Sequence, residues 1–403
     1  LRLGLFVLAI LSAANSLKAQ WGDSVRVKSS IESSVLLDVG SNSLSIRNYR
    51  DYAQASFLSP AFKNELIDQS KDQLRLGNRQ SFKLAYQQLN DSVYSQWSKG
   101  FEVYLAYNSV LGIASQKDAL QLALNGNAPY AGELLELAPT KYQSQSFLSI
   151  GFNLIEKRKH LSWSYGFAAL FGTDFQDLNL ERGSVFTEQN GSYLDLSAQY
   201  RYRNSDTLNP IKGMGLGLGG SLQYSIHDQL SLGIELSDFG FIFWNNASYT
   251  INADTSFRYL GEFVPNLLDF EGSLFEDTQQ GLDDALLTKE GGSFVALTPF
   301  NLKANATYLH KDLGKLKSSQ VLVEYVYTAG FTPLFRLSST WAFKRWSLTP
   351  DLSYGGFTSM GAGLSTAYET RFWKAKLQLF NAQGFIASSS KALGVQASFF
   401  YSF

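Results

Sequence analysis

The chain has 403 residues, no cysteine and a formal net charge of −1, with 30 Phe, 21 Tyr and 7 Trp. Absent cysteine excludes disulfide staples and thiol chemistry, and the near-neutral charge offers no electrostatic footprint for nucleic acid. So many aromatics beside so few charges suit the lipid-facing and interfacial surfaces of a barrel.

Residues 1–19 read as a secretory signal: Arg2 is the basic start, Leu3 to Ala14 the apolar run, and Ala19 the small residue before Gln20. That run is too short to cross a bilayer as a helix, and a buried N-terminal helix is the alternative. No later segment offers eighteen uninterrupted apolar residues. A membrane location would therefore have to use strands.

Residues 20–100 have a mixed pattern and are expected to form an N-terminal periplasmic or plug segment. Val35–Ile46 suggests an extended piece, and Tyr52–Leu66 a turn and helix around Ser59, Pro60 and Ala61. The expected barrel begins at Phe101 and runs to Phe403. Phe101, Val103, Leu105 and Tyr107 alternate, and a short helix over Gln116–Leu124 ends at Asn125-Gly126-Asn127. A further turn is expected at Glu133–Leu137.

From Lys141 the two-residue period of a half-apolar strand recurs. Leu148, Ile150, Phe152 and Leu154 share a face, as do Leu161, Trp163, Tyr165 and Phe167, and then Leu194, Leu196, Ala198, Tyr200 and Tyr202. Gly213–Ile226 is the clearest case, with Met214, Leu216, Leu218, Leu222, Tyr224 and Ile226 opposite glycine and polar residues. Strands are expected at 229–236, 240–251, 294–309, 319–327, 334–343, 346–354, 359–368, 372–380 and 392–403. Short links such as His227-Asp228, Lys344-Arg345 and Glu369-Thr370-Arg371 suit antiparallel neighbours. Thirteen strands plus one in the N-terminal region give fourteen, with twelve or sixteen as neighbouring counts.

The expected fold is thus an all-β, transmembrane antiparallel barrel of about 14 strands with a small N-terminal plug. Charges such as Glu324, Lys374, Lys376, Asp195 and Arg201 fall on the second face, leaving the apolar faces uncharged. In hydrocarbon every backbone polar group needs a partner, so such a sheet must close. A periplasmic β-sandwich is the soluble alternative. The last strand, Leu393 to Phe403, alternates to the carboxylate, and Tyr401 and Phe403 are the expected signal for barrel-assembly machinery.

Residues 252–292 interrupt the pattern and are expected to form a long extracellular loop. Nine acidic residues lie there among many apolar ones. Phe263, Leu267, Phe270, Phe275, Asp283 and Asp284 are its candidate partner-binding residues, and a decorative loop is the plain alternative. Asp283, Asp284 and Glu290 lack a calcium-loop spacing. His160, His227 and His310 are far apart and read as rim residues, so no metal or other cofactor is expected. The alternating glycines after Gly213 lack the turn and helix of a dinucleotide site; as inward small residues they let a plug or inner side chain approach the wall. His160 and Ser162 alone do not make a nucleophile–base pair, and no enzymatic activity is expected.

The signal ending Lys18-Ala19-Gln20, the Ala-Ser-Phe-Leu-Ser-Pro-Ala-Phe stretch at 55–62 and the final Phe resemble an uncharacterised barrel family of Bacteroidota, DUF5723. That family is similar to FadL-type fatty-acid transporters and PorV-like proteins. Ser59-Pro60-Ala61 stands where the wider group has Asn-Pro-Ala in an N-terminal hatch, and Glu235 to Gly240, continuing to Trp244, resembles its central Asp-x-Gly stretch. The resemblance implies a plugged fourteen-stranded barrel in the outer membrane of a Gram-negative bacterium. It implies plug or ligand contacts at Phe57, Leu58, Pro60, Ala61 and Phe62, with ordinary plug packing as the alternative. Two functions follow: uptake of a hydrophobic small molecule, or a non-enzymatic accessory subunit of a larger outer-membrane complex for secretion or assembly. Expected partners are outer-membrane lipid, assembly machinery and, for the second reading, other outer-membrane proteins.

Overall fold

A computed structural model describes residues 25–48, 51, 59–92, 97–205, 209–260, 288–387 and 389–403. The first strands are β1 (Val25–Ser41), β2 (Gln73–Ser92), β3 (Trp97–Gln116), β4 (Leu134–Glu136) and β5 (Thr140–Arg158). Next come β6 (Leu161–Thr187), β7 (Leu194–Asn204), β8 (Gly213–His227), β9 (Leu230–Trp244) and β10 (Tyr249–Tyr259). Four more follow: β11 (Thr288–Gly291), β12 (Phe294–Leu297), β13 (Asn301–Leu309) and β14 (Leu316–Val326). The last are β15 (Thr332–Phe343), β16 (Trp346–Gly356), β17 (Met360–Glu369), β18 (Trp373–Phe380) and β19 (Ala392–Ser402).

Fourteen of these form a closed antiparallel wall in the order β1, β2, β3, β5, β6, β8, β9, β13 and then β14 to β19. Closure is made by β1 and β19, registered from Ser30↔Ser402 to Gly40↔Ala392. The soluble sandwich is thereby set aside, since the apolar faces point out rather than into a core between two layers. On β8, Met214, Leu216 and Leu218 are each about 60% exposed, whereas Gly213 and Gly217 on the other face are buried. Tyr165, Phe167, Leu337, Leu352 and Tyr354 extend the same exposed belt round the wall. Such an exterior is stable against acyl chains and costly against water.

Mutual hydrogen bonds between Ser29 and Phe403, at 3.2 and 2.9 Å, place the two ends of the wall at one rim. The tight links at 159–160, 228–229, 344–345 and 370–372 share this terminal rim, while the long connections lie at the other. Beyond that far rim, β6 continues past its pairing with β8 and pairs with β7, which pairs in turn with β10. Arg258 of β10 grips Asp195 of β7 at 2.7 and 2.8 Å, and this hydrogen bond holds the Asp195 carboxyl below its ordinary pKa.

Several expectations are corrected. Residues 20–100 are not a separate plug, because β1 and β2 are wall strands and β3 begins at Trp97. Their pattern is blurred: Asn78 and Gln80 interrupt the apolar face that β2 resumes at Phe82, Leu84 and Tyr86. The helix around Ser59 is α1 (Pro60–Gln69), capped by the Ser59 hydroxyl, and lies between β1 and β2 at the far rim. The helix expected at 116–124 is α2 (Lys117–Asn125). Glu133–Leu137 contains β4, paired to β6, rather than a turn. The strands expected at 229–236 and 240–251 are largely one, β9, whose register slips near Asp238, at φ 59°, so that the outward face passes from Ile234 to Phe239. The alternation from Leu194 to Tyr202 belongs to β7, outside the wall. The long loop is narrower than 252–292, since β10 runs to Tyr259 and β11 starts at Thr288.

One interior contact joins opposite walls. Arg79 on β2 holds Asp38 of neighbouring β1 at 2.7 Å and Glu324 of β14 at 2.8 Å, and β14 is seven strands from β2 in either direction. All three side chains are nearly buried. Arg79→Leu would take from the Asp38 and Glu324 carboxylates the cation they share, leaving Glu324 only its bond from Asn301, and should cost about 3–5 kcal/mol. Urea unfolding of the detergent-solubilised barrel measures this, and an unchanged midpoint would show that the strut contributes nothing.

Candidate functional site: a lumen divided by an inward loop

The lumen is not an open pore. Residues 327–331, between β14 and β15, fold inward and reach β3, six strands away round the wall. A Cβ on Gly112 of β3 would lie 2.2 Å from the Ala329 carbonyl oxygen and 2.6 Å from the Thr328 hydroxyl. Gly112 thus gives the loop room, and Gly330, at φ 75°, supplies the bend against Ile113. From the link between β16 and β17, Phe357 lies against Gly77 of β2, where a Cβ would fall 1.9 Å from its ring.

These two intrusions build one apolar cluster. Phe331 and Phe357 meet edge to face at 5.1 Å, with Val110, Val326 and Leu334 around them. The Arg79 guanidinium lies 5.3 Å from the Phe331 ring centre, so the strut between walls also braces the loop. A second cluster joins Phe147, Leu170, Phe175, Ile242 and Trp244 from β5, β6 and β9. Together they fill much of the lumen's far half.

On the terminal side of the loop lies a polar cavity of about 710 Å³, extending to Lys157 and Ser162 near the rim. Its charges are largely paired: Lys83 with Glu102 at 3.1 Å and Lys303 with Glu235 at 3.5 Å. Asn108 donates to Asp238 at 3.3 Å. Arg336 and Asp351 approach to 3.5 Å as an ion pair, without hydrogen-bond geometry at the Arg336 Nε.

On the far side lies a cavity of about 490 Å³, bounded by Val295–Leu297 of β12, Tyr325, Tyr327, Thr328 and Ala329. Lys141, Asn179 and Arg201 form one row across β5, β6 and β7 on its other side. Arg203, one row inward, is committed to Asp177 at 2.8 and 3.0 Å and to the Phe175 and Phe294 rings. Lys141 and Arg201 have no ion-pair partner among the described residues.

The residues singled out in sequence are dispersed. Pro60 and Ala61 are exposed on α1, and Phe62 packs with Leu66, Ile67 and Leu124 of α2. Ser59-Pro60-Ala61 therefore stands at the far rim, opposite the start of β1 and the end of β19, rather than in a hatch preceding the first strand. Phe57, Leu58, Phe263, Leu267, Phe270, Phe275, Asp283 and Asp284 lie outside the described residues. Tyr401 is on the exposed face of β19, stacked with Phe403 at 5.9 Å. His160, His227 and His310 lie at terminal-rim turns, and no metal-ligand cluster occurs among the described residues. Sequence reading missed Arg79, Asp38, Phe331 and Phe357. The only signals for the two intrusions were Ala329-Gly330 between β14 and β15 and Gly355-Gly356 at the end of β16.

Several buried polar atoms of the interior go unpaired. The Gln145 side-chain amide, fully buried on β5 beside Val110, finds no protein partner, nor do the Thr328 hydroxyl and Trp244 Nε1. Gln145→Leu should therefore stabilise the barrel by about 1–2 kcal/mol. A higher urea midpoint in detergent is the expected readout, and a lower one would show that the amide is satisfied.

Several solved structures are similar in outline. The toluene transporter TodX of Pseudomonas putida is 7% identical, with 95% of this chain and 90% of that one covered and a TM-score of 0.42. A FadL homologue of Pseudomonas aeruginosa is 9% identical over 94% and 90%, with a TM-score of 0.37. A triple mutant of the Rhodopseudomonas blastica porin is 8% identical over 94% and 100%, with a TM-score of 0.29. Likeness this distant carries no argument about cargo. No curated protein matches. Over residues 26–373 the chain matches the model of a family of unknown function, DUF5723, and it belongs to that family.

Proposed function

We propose that the protein is a gated, non-enzymatic barrel of a Gram-negative outer membrane that takes up a small amphiphile. The single carrying observation is the placement of loop 327–331 between two cavities. Thr328 and Ala329 bound the far cavity, while Glu324 and Val326 of the same hairpin bound the terminal one. Removing this one segment from the lumen would join them. The far cavity combines an apolar and tyrosine-rich side with the Lys141 and Arg201 cations, which suits an apolar body bearing an anionic group. A purely hydrophobic cargo would gain nothing from those cations or from the charged lumen beyond.

Tyr401 and Phe403 are assigned to recognition by the assembly machinery. Phe57, Leu58, Pro60, Ala61 and Phe62 are assigned to plug or ligand contacts only in so far as α1, at the far rim, faces cargo entering there; the described Pro60, Ala61 and Phe62 stand away from loop 327–331. The segment with Phe263, Leu267, Phe270, Phe275, Asp283 and Asp284 is assigned to capture of cargo or partner. The accessory-subunit reading draws support from the filled far half of the lumen, since a subunit has no need of a path.

Gly112→Leu places a side chain on the Ala329 carbonyl and should displace the loop. Replacing 328–331 by two glycines should have the same effect. Both variants should raise single-channel conductance in planar bilayers well above the parent. If conductance stays flat in both and a stoichiometric protein co-purifies, the subunit reading replaces the transporter.

Cargo chemistry has its own test. Dodecanoate should bind the purified barrel more tightly than dodecanol by calorimetry. Arg201→Gln and Lys141→Gln should each weaken dodecanoate about ten-fold, the scale of a charged hydrogen bond, and leave dodecanol unchanged. Equal binding of acid and alcohol would remove the anionic group from the proposal.

A further inference from the structure

The lipid-facing wall carries a depression. Toward the terminal rim, between β16 and β1, lies an apolar groove of about 700 Å³. Ala375 of β18 and Ala397 of β19 are its low points, while Trp346, Tyr368, Trp373 and Phe399 stand beside them. Strand register explains the shape. Ala375 sits between Tyr368 and Phe399, and Ala397 pairs with Leu377 and Val35, so short side chains alternate with tall ones on one outward face. The rings are mutually braced, with centroids 4.8 Å apart for Trp346–Tyr368, 5.3 Å for Tyr368–Trp373 and 6.1 Å for Trp373–Phe399.

At the foot of the groove the two adjoining turns are basic. Lys344 and Arg345 immediately precede Trp346, and Arg371 stands two residues before Trp373. A 2.9 Å hydrogen bond from Glu369 N–H to the Arg345 carbonyl ties the turns together. All three cations are exposed, and none has an ion-pair partner among the described residues; Arg371 only covers Phe372 at 5.3 Å. The nearby acid, Glu369, is taken by Lys374 at 3.1 Å.

We propose that this groove binds one anionic phospholipid, with an acyl chain along Ala375 and Ala397 and its phosphate between Arg345 and Arg371. Charge complementarity selects this occupant. Guanidinium groups at headgroup depth are matched to phosphate oxygens, and an acyl chain gains close contact in a rigid depression that a flat wall cannot offer. A second copy fits poorly, because a symmetric pair in one membrane would bring the same cationic rim against itself.

Native mass spectrometry of the intact barrel in detergent, titrated separately with dioleoylphosphatidylglycerol and dioleoylphosphatidylethanolamine, tests the site. One phosphatidylglycerol per barrel should bind, at least several-fold tighter than phosphatidylethanolamine. Arg345→Gln and Arg371→Gln should each weaken phosphatidylglycerol about five-fold, as expected for a cation at a lipid headgroup, with little effect on phosphatidylethanolamine. Ala397→Leu with Ala375→Leu fills the groove without touching the charges and should abolish the tight site. Equal binding of the two lipids, phosphatidylglycerol retained by the filled variant, or a dimer that the filling dissociates would each overturn the proposal. None of these outcomes bears on the gate, whose conductance test is separate.

Discussion

Closure of the sheet between β1 and β19 governs everything else in this molecule. A bilayer supplies no water to an unpaired amide, so an open edge among acyl chains would cost several kcal/mol for each orphaned group. Eleven registered residue pairs, Ser30↔Ser402 through Gly40↔Ala392, remove that edge. Once the wall is closed, the strand period assigns every side chain to lipid or lumen. The exposed belt through Leu216, Phe167 and Tyr354 and the inward Glu102, Glu324 and Lys376 are consequences of that division.

A fourteen-stranded wall encloses more room than its own inward side chains fill, because diameter grows with strand number. This chain uses the room in two ways. In the far half, Phe331 and Phe357 enter from loops and meet Val110, Val326 and each other as a folded interior. Nearer the terminal rim, paired charges line a polar cavity. Arg79 sits at the junction, touching Glu324 on the opposite wall and Phe331 in the inward loop. The packing of the loop and the strut thus share one guanidinium.

The sequence was legible where each strand has one clean face. β8, β16 and β19 alternate apolar and small or polar residues almost without a break, and they are wall strands. It misled where alternation was interrupted or duplicated. Asn78 and Gln80 hid β2, the bulge at Asp238 divided β9 in two, and β7 alternates just as a wall strand does while pairing above the rim. The count of fourteen agreed although its membership did not: β1 and β2 enter the wall, β7 leaves it, and the two segments expected over β9 count as one strand. A period of two reports that a strand has unlike faces; it does not report what lies against each.

The candidate site lay almost wholly beyond that kind of reading. Nothing local marks Ala329 as the neighbour of Gly112, or Arg79 as the partner of Glu324, because those contacts cross the lumen between segments more than two hundred residues apart. By itself the sequence determined an uncharged apolar exterior, short turns at one end and a sheet obliged to close, all from side-chain period and turn chemistry. Tertiary structure alone decided which loops enter the barrel and which glycines receive them. Those choices depend on distances across a closed wall, and such distances exist only after the last strand has met the first.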